Sequence, residues 1–147
     1  MAKNSLHLLE PKDCALLLVD QQAGLAFGVS SIDRQVLMNN VVALAKTATV
    51  FGLPVVASTS ATKVYSGPLM PAIKAALPGI EPIDRRSMNV WEDDKARAAI
   101  LATGRSRLIV SGLLTEACVS FAVLSALSAG LEVYVVGDAC GAHAGEP

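Results

Sequence analysis

Short, wholly apolar runs alternate along this chain with longer stretches whose apolar positions recur at helical spacing. The run Cys14–Val19, CALLLV, is stopped by Asp20 and predicts a central strand buried on both faces, with Asp20 at its carboxyl end. From 32 to 51 the positions Val36, Leu37, Val41, Val42, Leu44, Ala45 and Val50 share one helical face, and Gly52 supplies a left-handed stop. Pro54 then opens a second strand, PVVAST. A helix over 70–77, a short strand over 80–84 and a helix over 93–103 follow, and a buried strand is expected over 107–110. The segment GLLTEACVSFAVLSALSAG reads as a tight turn and a helix over 116–129, with Thr115 as N-cap, and a fifth strand is expected over 131–136.

Strand and helix in regular alternation predict a three-layer α/β/α fold, Rossmann-like, with a mostly parallel central sheet. No Pro/Ser-rich or charged linker divides the chain, so residues 1–147 are expected to form a single domain. In such folds ligands sit beyond the carboxyl ends of the strands. Those ends carry Asp20, Ser58 to Ser60, Asp84 to Arg86, Gly112 to Cys118 and Asp138.

Composition narrows the classes of function. With 52% hydrophobic and 17% charged residues, little polar side chain remains to cover the outside, and self-association is expected. A net charge of -1, with Lys and Arg scattered, offers no footprint for nucleic acid or an anionic membrane. The N-terminus lacks a signal-peptide core and no apolar run has the length of a membrane span, so a cytoplasmic protein with a small-molecule partner is expected. Cys14, Cys118 and Cys140 are odd in number and form no CxxC pair, which argues for reduced thiols and against a structural zinc.

In the first turn of a helix capped by Thr115, Cys118 would meet unpaired N–H groups and the positive end of the helix dipole, which lower a thiol's pKa. No histidine is placed to activate it: His7 precedes the first strand and His143 lies in a short polar tail. A carboxylate near both the thiol and a cation can serve as base instead, and Asp20 is the candidate. Against this stand plainer readings. A lone Cys in an apolar helix is usually a core residue, and Arg85 and Arg86 are by default solvated surface charges. Asn89 and Trp91 are by default capping and packing residues, and Cys14 and Cys140 are incidental thiols.

The combination LLLVDQQAG, IDRRSMNVWEDD and IVSGLLTEACVSFAVLSALSAGLEVYVVGDA, in this order, resembles the isochorismatase-like cysteine hydrolases over nearly the whole chain. The resemblance implies a catalytic triad of Asp20, a cation and Cys118. The family's Lys falls on Arg85, six residues before Trp91, with Asn89 and Val90 between. An arginine binds a carboxylate through two parallel N–H bonds but does not shuttle a proton. Also implied are a cis peptide at Leu113-Leu114, an oxyanion hole from the N–H groups of Leu114 and Cys118, and substrate contacts from Gln22, Asn89, Trp91 and Thr115. The expected activity is hydrolysis of an amide or related C–N bond in a homo-oligomer.

Metal-binding nicotinamidases of this superfamily use an Asp and histidines after the second strand. The corresponding STSATKVYSGPLMP has neither, so no metal and no cofactor are expected. Family members continue past VVGDACGA, so the fold is expected to be shortened at the C-terminus. The competing expectation, motivated by Arg85 and that short end, is a catalytically silent oligomeric scaffold with an ordinary thiol at Cys118.

Overall fold

The computed structural model describes residues 8–144. Five strands, β1 (Cys14–Val19), β2 (Val55–Ser60), β3 (Ile83–Arg85), β4 (Arg107–Gly112) and β5 (Glu132–Val135), form one sheet in the order β3-β2-β1-β4-β5. All four pairings are parallel. The first strand lies at the centre with every residue buried, as its unbroken apolar run requires.

Successive side chains of β1 enter opposite cores. Leu16 and Leu18 pack with Leu37, Val41 and Ala45 of α2 (Arg34–Phe51) and with Ile73 of α3 (Pro71–Ala76). Ala15, Leu17 and Val19 pack on the other face with Ile100 of α4 (Asp94–Ala102) and Ala122 and Ala126 of α5 (Ser120–Ser128). A short helix, α1 (Ala23–Ala26), follows β1 and was not foreseen. The arrangement is the three-layer α/β/α sandwich expected, and among the described residues no helix is long and apolar enough to cross a membrane. Asp33 caps α2 and Asp93 caps α4, each accepting backbone N–H bonds from the first turn.

Two corrections bear on the site. The third strand spans Ile83–Arg85, not 80–84, because the register with β2 pairs Ser58 with Ile83 and Ser60 with Arg85. Arg85 is therefore the last residue of a strand. The segment before α5 is a turn of π-helix, Thr115–Val119, so Thr115 is its first residue and not an α-helical N-cap. The Val119 N–H reaches back five residues to the Leu114 carbonyl at 3.3 Å, and the Ser120 hydroxyl donates to the Thr115 carbonyl at 2.6 Å. Gly112 brings this turn against the central strand: a Cβ there would lie 2.3 Å from the Val19 carbonyl oxygen.

Candidate functional site

At the carboxyl edge of the sheet, Asp20 follows β1 in a left-handed conformation, φ 53°, which a short polar side chain tolerates better than a bulky one. Its N–H donates to the Ser58 carbonyl at 2.9 Å and its carbonyl accepts from the Gln22 N–H at 2.7 Å, which turns the chain sharply and leaves the carboxylate wholly buried. Two strands away, Arg85 meets it. One guanidinium nitrogen donates to Asp20 Oδ1 and, at 2.8 Å, to the Ser58 hydroxyl. The other donates to Asp20 Oδ2 at 2.8 Å and to the Met88 carbonyl at 2.8 Å. The default reading of Arg85 as a surface charge is thus corrected: it is 2% exposed. Arg86, next in sequence, is exposed. Burial works against the Arg85 charge, but the hydrogen bond and charge of Asp20 outweigh it and hold the guanidinium pKa above its ordinary value.

Cys118 completes the group from the far side of β1. Its thiol is close enough to both Asp20 and Arg85 for each to act on its titration. The direction is opposite to the one expected from the helix dipole. Burial first, then the negative charge and hydrogen bond of Asp20, push the thiol pKa up to about 11, and Arg85 offsets only part of this. The π-turn explains part of the difference, because Cys118 lies within the turn and not at a capped α-helical N-terminus. Cys118 accordingly rests as a thiol, with its proton on sulfur.

The thiol opens on a cavity of about 470 Å³. Its wall combines apolar surface from Leu25, Tyr65, Met88, Leu114 and Ala117 with the polar groups Asp84 and Arg86. Asp84 is fixed by hydroxyl donors, Thr59 at 3.1 Å and Thr62 at 3.0 Å. The Leu113–Leu114 peptide is cis, and the Leu114 N–H donates to no group among the described residues.

Four residues expected to touch substrate do not line this cavity. Gln22 is fully buried, its amide engaged by backbone groups of Ser60 and Gly67. Asn89 accepts from the Trp91 N–H at 3.0 Å and donates to the Ser125 hydroxyl at 2.9 Å, which ties its loop to α5. Trp91 lines a separate shallow groove with Leu124, Ser125 and Ser128 of α5. Thr115 acts through its backbone, its N–H donating to the Gly141 carbonyl at 2.9 Å. Sequence reasoning missed Ser58 as a partner of Arg85 and Met88 as cavity wall. Only the placement of Ser58 at a strand end hinted at any of these.

Cys14 and Cys140 are buried and burial raises both their thiol pKa values, in keeping with their reading as incidental. His143 is exposed, its Nδ1 3.2 Å from the Gly28 carbonyl, and does not line the cavity; His7 lies outside the described residues. Asp138 sits in an exposed turn, also away from the cavity. Among the described residues no cluster of His, Cys, Asp and Glu is arranged to hold a metal ion.

A sequence profile described as "Isochorismatase domain" matches residues 14–147. The chain belongs to the isochorismatase family. Within it, the chain is 42% identical over 134 residues to the probable hydrolase YcaC of Escherichia coli strain K12, a match covering 90% of this chain and 64% of that protein. It therefore spans less than two thirds of that relative's length. The crystal structure of the E. coli YcaC gene product, described as an octameric hydrolase of unknown specificity, superposes with a TM-score of 0.91 at 41% identity, covering 97% of this chain and 70% of the other. YcaC from Pseudomonas aeruginosa, solved with hexane-2,5-diol and covalent acrylamide, gives 0.90 at 39% identity, over 95% and 69% of the two chains. The fold extends further, to the MAR1 ribonuclease of Caenorhabditis elegans at 19% identity, TM-score 0.82, covering 94% of this chain and 69% of that one.

Proposed function

We propose that this chain is a single-domain hydrolase of small amides or related C–N bonds, with Cys118 as nucleophile, Asp20 as base and Arg85 as the cation that orients Asp20. The observation that carries the reading is the thiol's position: Cys118 opens on the cavity while facing a fully buried Asp20–Arg85 pair. A buried carboxylate held bidentately is a fixed acceptor, and a thiol beside it loses its proton to that acceptor as sulfur attacks.

The steps balance on these groups. Asp20 takes the Sγ proton as sulfur bonds to the carbonyl carbon, and negative charge develops on the carbonyl oxygen. The Leu114 N–H, which has no other acceptor among the described residues, and the Cys118 N–H stabilise that oxygen. Collapse breaks the C–N bond, and the proton on Asp20 passes to the departing nitrogen. Water then attacks the thioester, giving its proton to Asp20 and its oxygen to the product acid, and the Asp20 proton returns to sulfur. Arg85 keeps its charge throughout, since a guanidinium does not give up its proton within a protein.

The covalent acrylamide in the P. aeruginosa relative supports a nucleophile that an unsaturated amide reaches, and the octameric E. coli relative supports a homo-oligomer. Three free cysteines accord with a cytoplasmic setting. A second reading, a silent oligomeric scaffold, draws on Arg85 in the place of a lysine and on a thiol that burial keeps protonated at rest. A screen of small carboxamides separates the two. The hydrolase releases ammonia from at least one of them and loses that activity in Cys118→Ser, whereas the scaffold releases none from any.

A further inference from the structure

Residues 61–67, which give Ala61 and Tyr65 to the cavity wall, belong to no strand or helix, yet the segment is held at defined points. Three of them converge on one side chain. Gln22 Nε2 donates to the Ser60 carbonyl at 2.9 Å and to the Gly67 carbonyl at 2.6 Å, while its Oε1 accepts from the Ser60 N–H at 2.9 Å. The amide thus acts as an inserted peptide group that closes the two ends of the loop on each other. The backbone around Gln22 reinforces it: Gln22 bridges Leu69 in antiparallel fashion, the Gly24 N–H donates to the Ser66 carbonyl at 3.0 Å, and the Met70 N–H donates to the Gln21 carbonyl at 3.0 Å. At Gly24 the approach is so close that a Cβ would lie 2.0 Å from the Tyr65 carbonyl oxygen.

What this holds in place is Tyr65. Tyr65 lines the cavity although the residue is 68% exposed, so little besides the loop's own path fixes it there. Inside the loop, the N–H groups of Val64, Tyr65 and Ser66 all point to the Ala61 carbonyl, which leaves the closure at Ser60 and Gly67 to set where this turn stands.

We propose that Gln22 is a positioning residue that sets the size selectivity of the cavity, by clamping residues 61–67 so that Tyr65 forms its outer apolar wall. This rests on the reading of Cys118 as the nucleophile at the base of that cavity. The ligand class that follows is a compact amide, since Leu25, Tyr65, Met88 and Leu114 make much of the wall apolar and Asp84 and Arg86 bring opposite charges to the rest. Gln22 touches neither the substrate nor the thiol, and its loss widens the cavity and leaves the Asp20–Arg85–Cys118 group intact.

The test compares alkylation rates of Cys118 by acrylamide and by the bulkier N-tert-butylacrylamide, with the pH dependence of the acrylamide reaction as control. In Gln22→Met the preference for acrylamide over the bulkier probe falls by about tenfold, the order of discrimination that a few methyl groups command in an apolar pocket, and the pH midpoint stays in place. Tyr65→Ala, at an exposed side chain whose removal leaves the core untouched, lowers the preference to a similar degree. Gln22→Glu keeps the side-chain size but points an acceptor at two carbonyls, and gives an independent second lesion of the clamp. Loss of preference in Tyr65→Ala with none in either Gln22 variant overturns the clamp, and an unchanged preference in Tyr65→Ala overturns the wall. A Gln22 variant that moves the pH midpoint overturns the proposal too, because Gln22 would then act at Asp20. Failure of acrylamide to add to Cys118 in the unaltered chain shows itself before any variant is made, and removes the underlying reading together with the clamp.

Discussion

Replacing Arg85 with methionine removes every charge-assisted bond that Asp20 receives from it, in a place where neither side chain has any exposure. Methionine fills much of the same volume, so the loss is chiefly electrostatic. A buried ion pair broken on one side costs about 3–5 kcal/mol, because the remaining charge is stranded. The carboxylate has an escape, which is to take up a proton, and this limits the penalty. Holding a carboxyl protonated at pH 7, against an ordinary pKa near 3.9, costs about 4 kcal/mol, and at pH 5 about 1.5 kcal/mol.

The sign follows. In the variant the folded state binds the Asp20 proton more tightly than the unfolded state, so stability is gained on acidification and lost as pH rises. Urea unfolding at fixed protein concentration reads this directly: with a slope of about 2 kcal/mol/M, the variant's midpoint lies about 2 M below the parent's at pH 7 and less than 1 M below it at pH 5. Parent and variant within about 1 kcal/mol at pH 7, or a gap that does not narrow at pH 5, refutes the reasoning. The first result would mean that the pair is not buried, the second that Asp20 stays charged without its partner.

Two further outcomes test neighbouring parts of the account. Asp20→Asn removes the negative charge that helps push the Cys118 thiol up to about 11 and leaves Arg85 facing it, so the thiolate absorbance of Cys118, taken as the difference from Cys118→Ser, appears at lower pH in Asp20→Asn; an equal or higher midpoint contradicts the assignment of cause. Gly112→Ala drives a Cβ to within 2.3 Å of the Val19 carbonyl oxygen and 2.8 Å of its Cβ, so β1 and β4 must part. It costs about 1–3 kcal/mol in a thermal melt, and an unchanged melting temperature shows that the strands are less tightly apposed than described.

The first strand and its terminal Asp20 were legible because a six-residue apolar run has one good placement, the centre of a parallel sheet, and because the chain must turn where the run ends. Helix α2 was legible for its long periodic face and for Gly52, which takes φ 65° at its end. Arg85 was harder to place. The pattern set the third strand over 80–84, which leaves the arginine beyond the strand, and only the pairing of Ser60 with Arg85 turns it under the sheet edge toward Asp20. The state of the thiol was misread for a related reason: the dipole argument saw only the local helix, whereas the dominant effects are burial and a carboxylate from a strand 98 positions earlier in the chain. Asn89 and Trp91, expected at the substrate, do not line the cavity, and the loop after β3 uses the Asn89 amide for capping and for a bond to α5. The true wall at Tyr65 depends on a side chain 43 positions earlier, Gln22, whose partners are backbone atoms that no residue pattern announces.

If Cys118 is a nucleophile whose proton goes to Asp20, the rate of acrylamide addition at pH 7, with the adduct located by peptide mass, reads that transfer. Addition at Cys118 is then faster than a thiol titrating near 11 would allow unaided, because Asp20 accepts the proton as the bond forms, and in Asp20→Asn the rate is no greater than that variant's own thiolate fraction allows. Addition at Cys14 or Cys140 instead, or a rate in the unaltered chain no greater than its thiolate fraction allows, would contradict it.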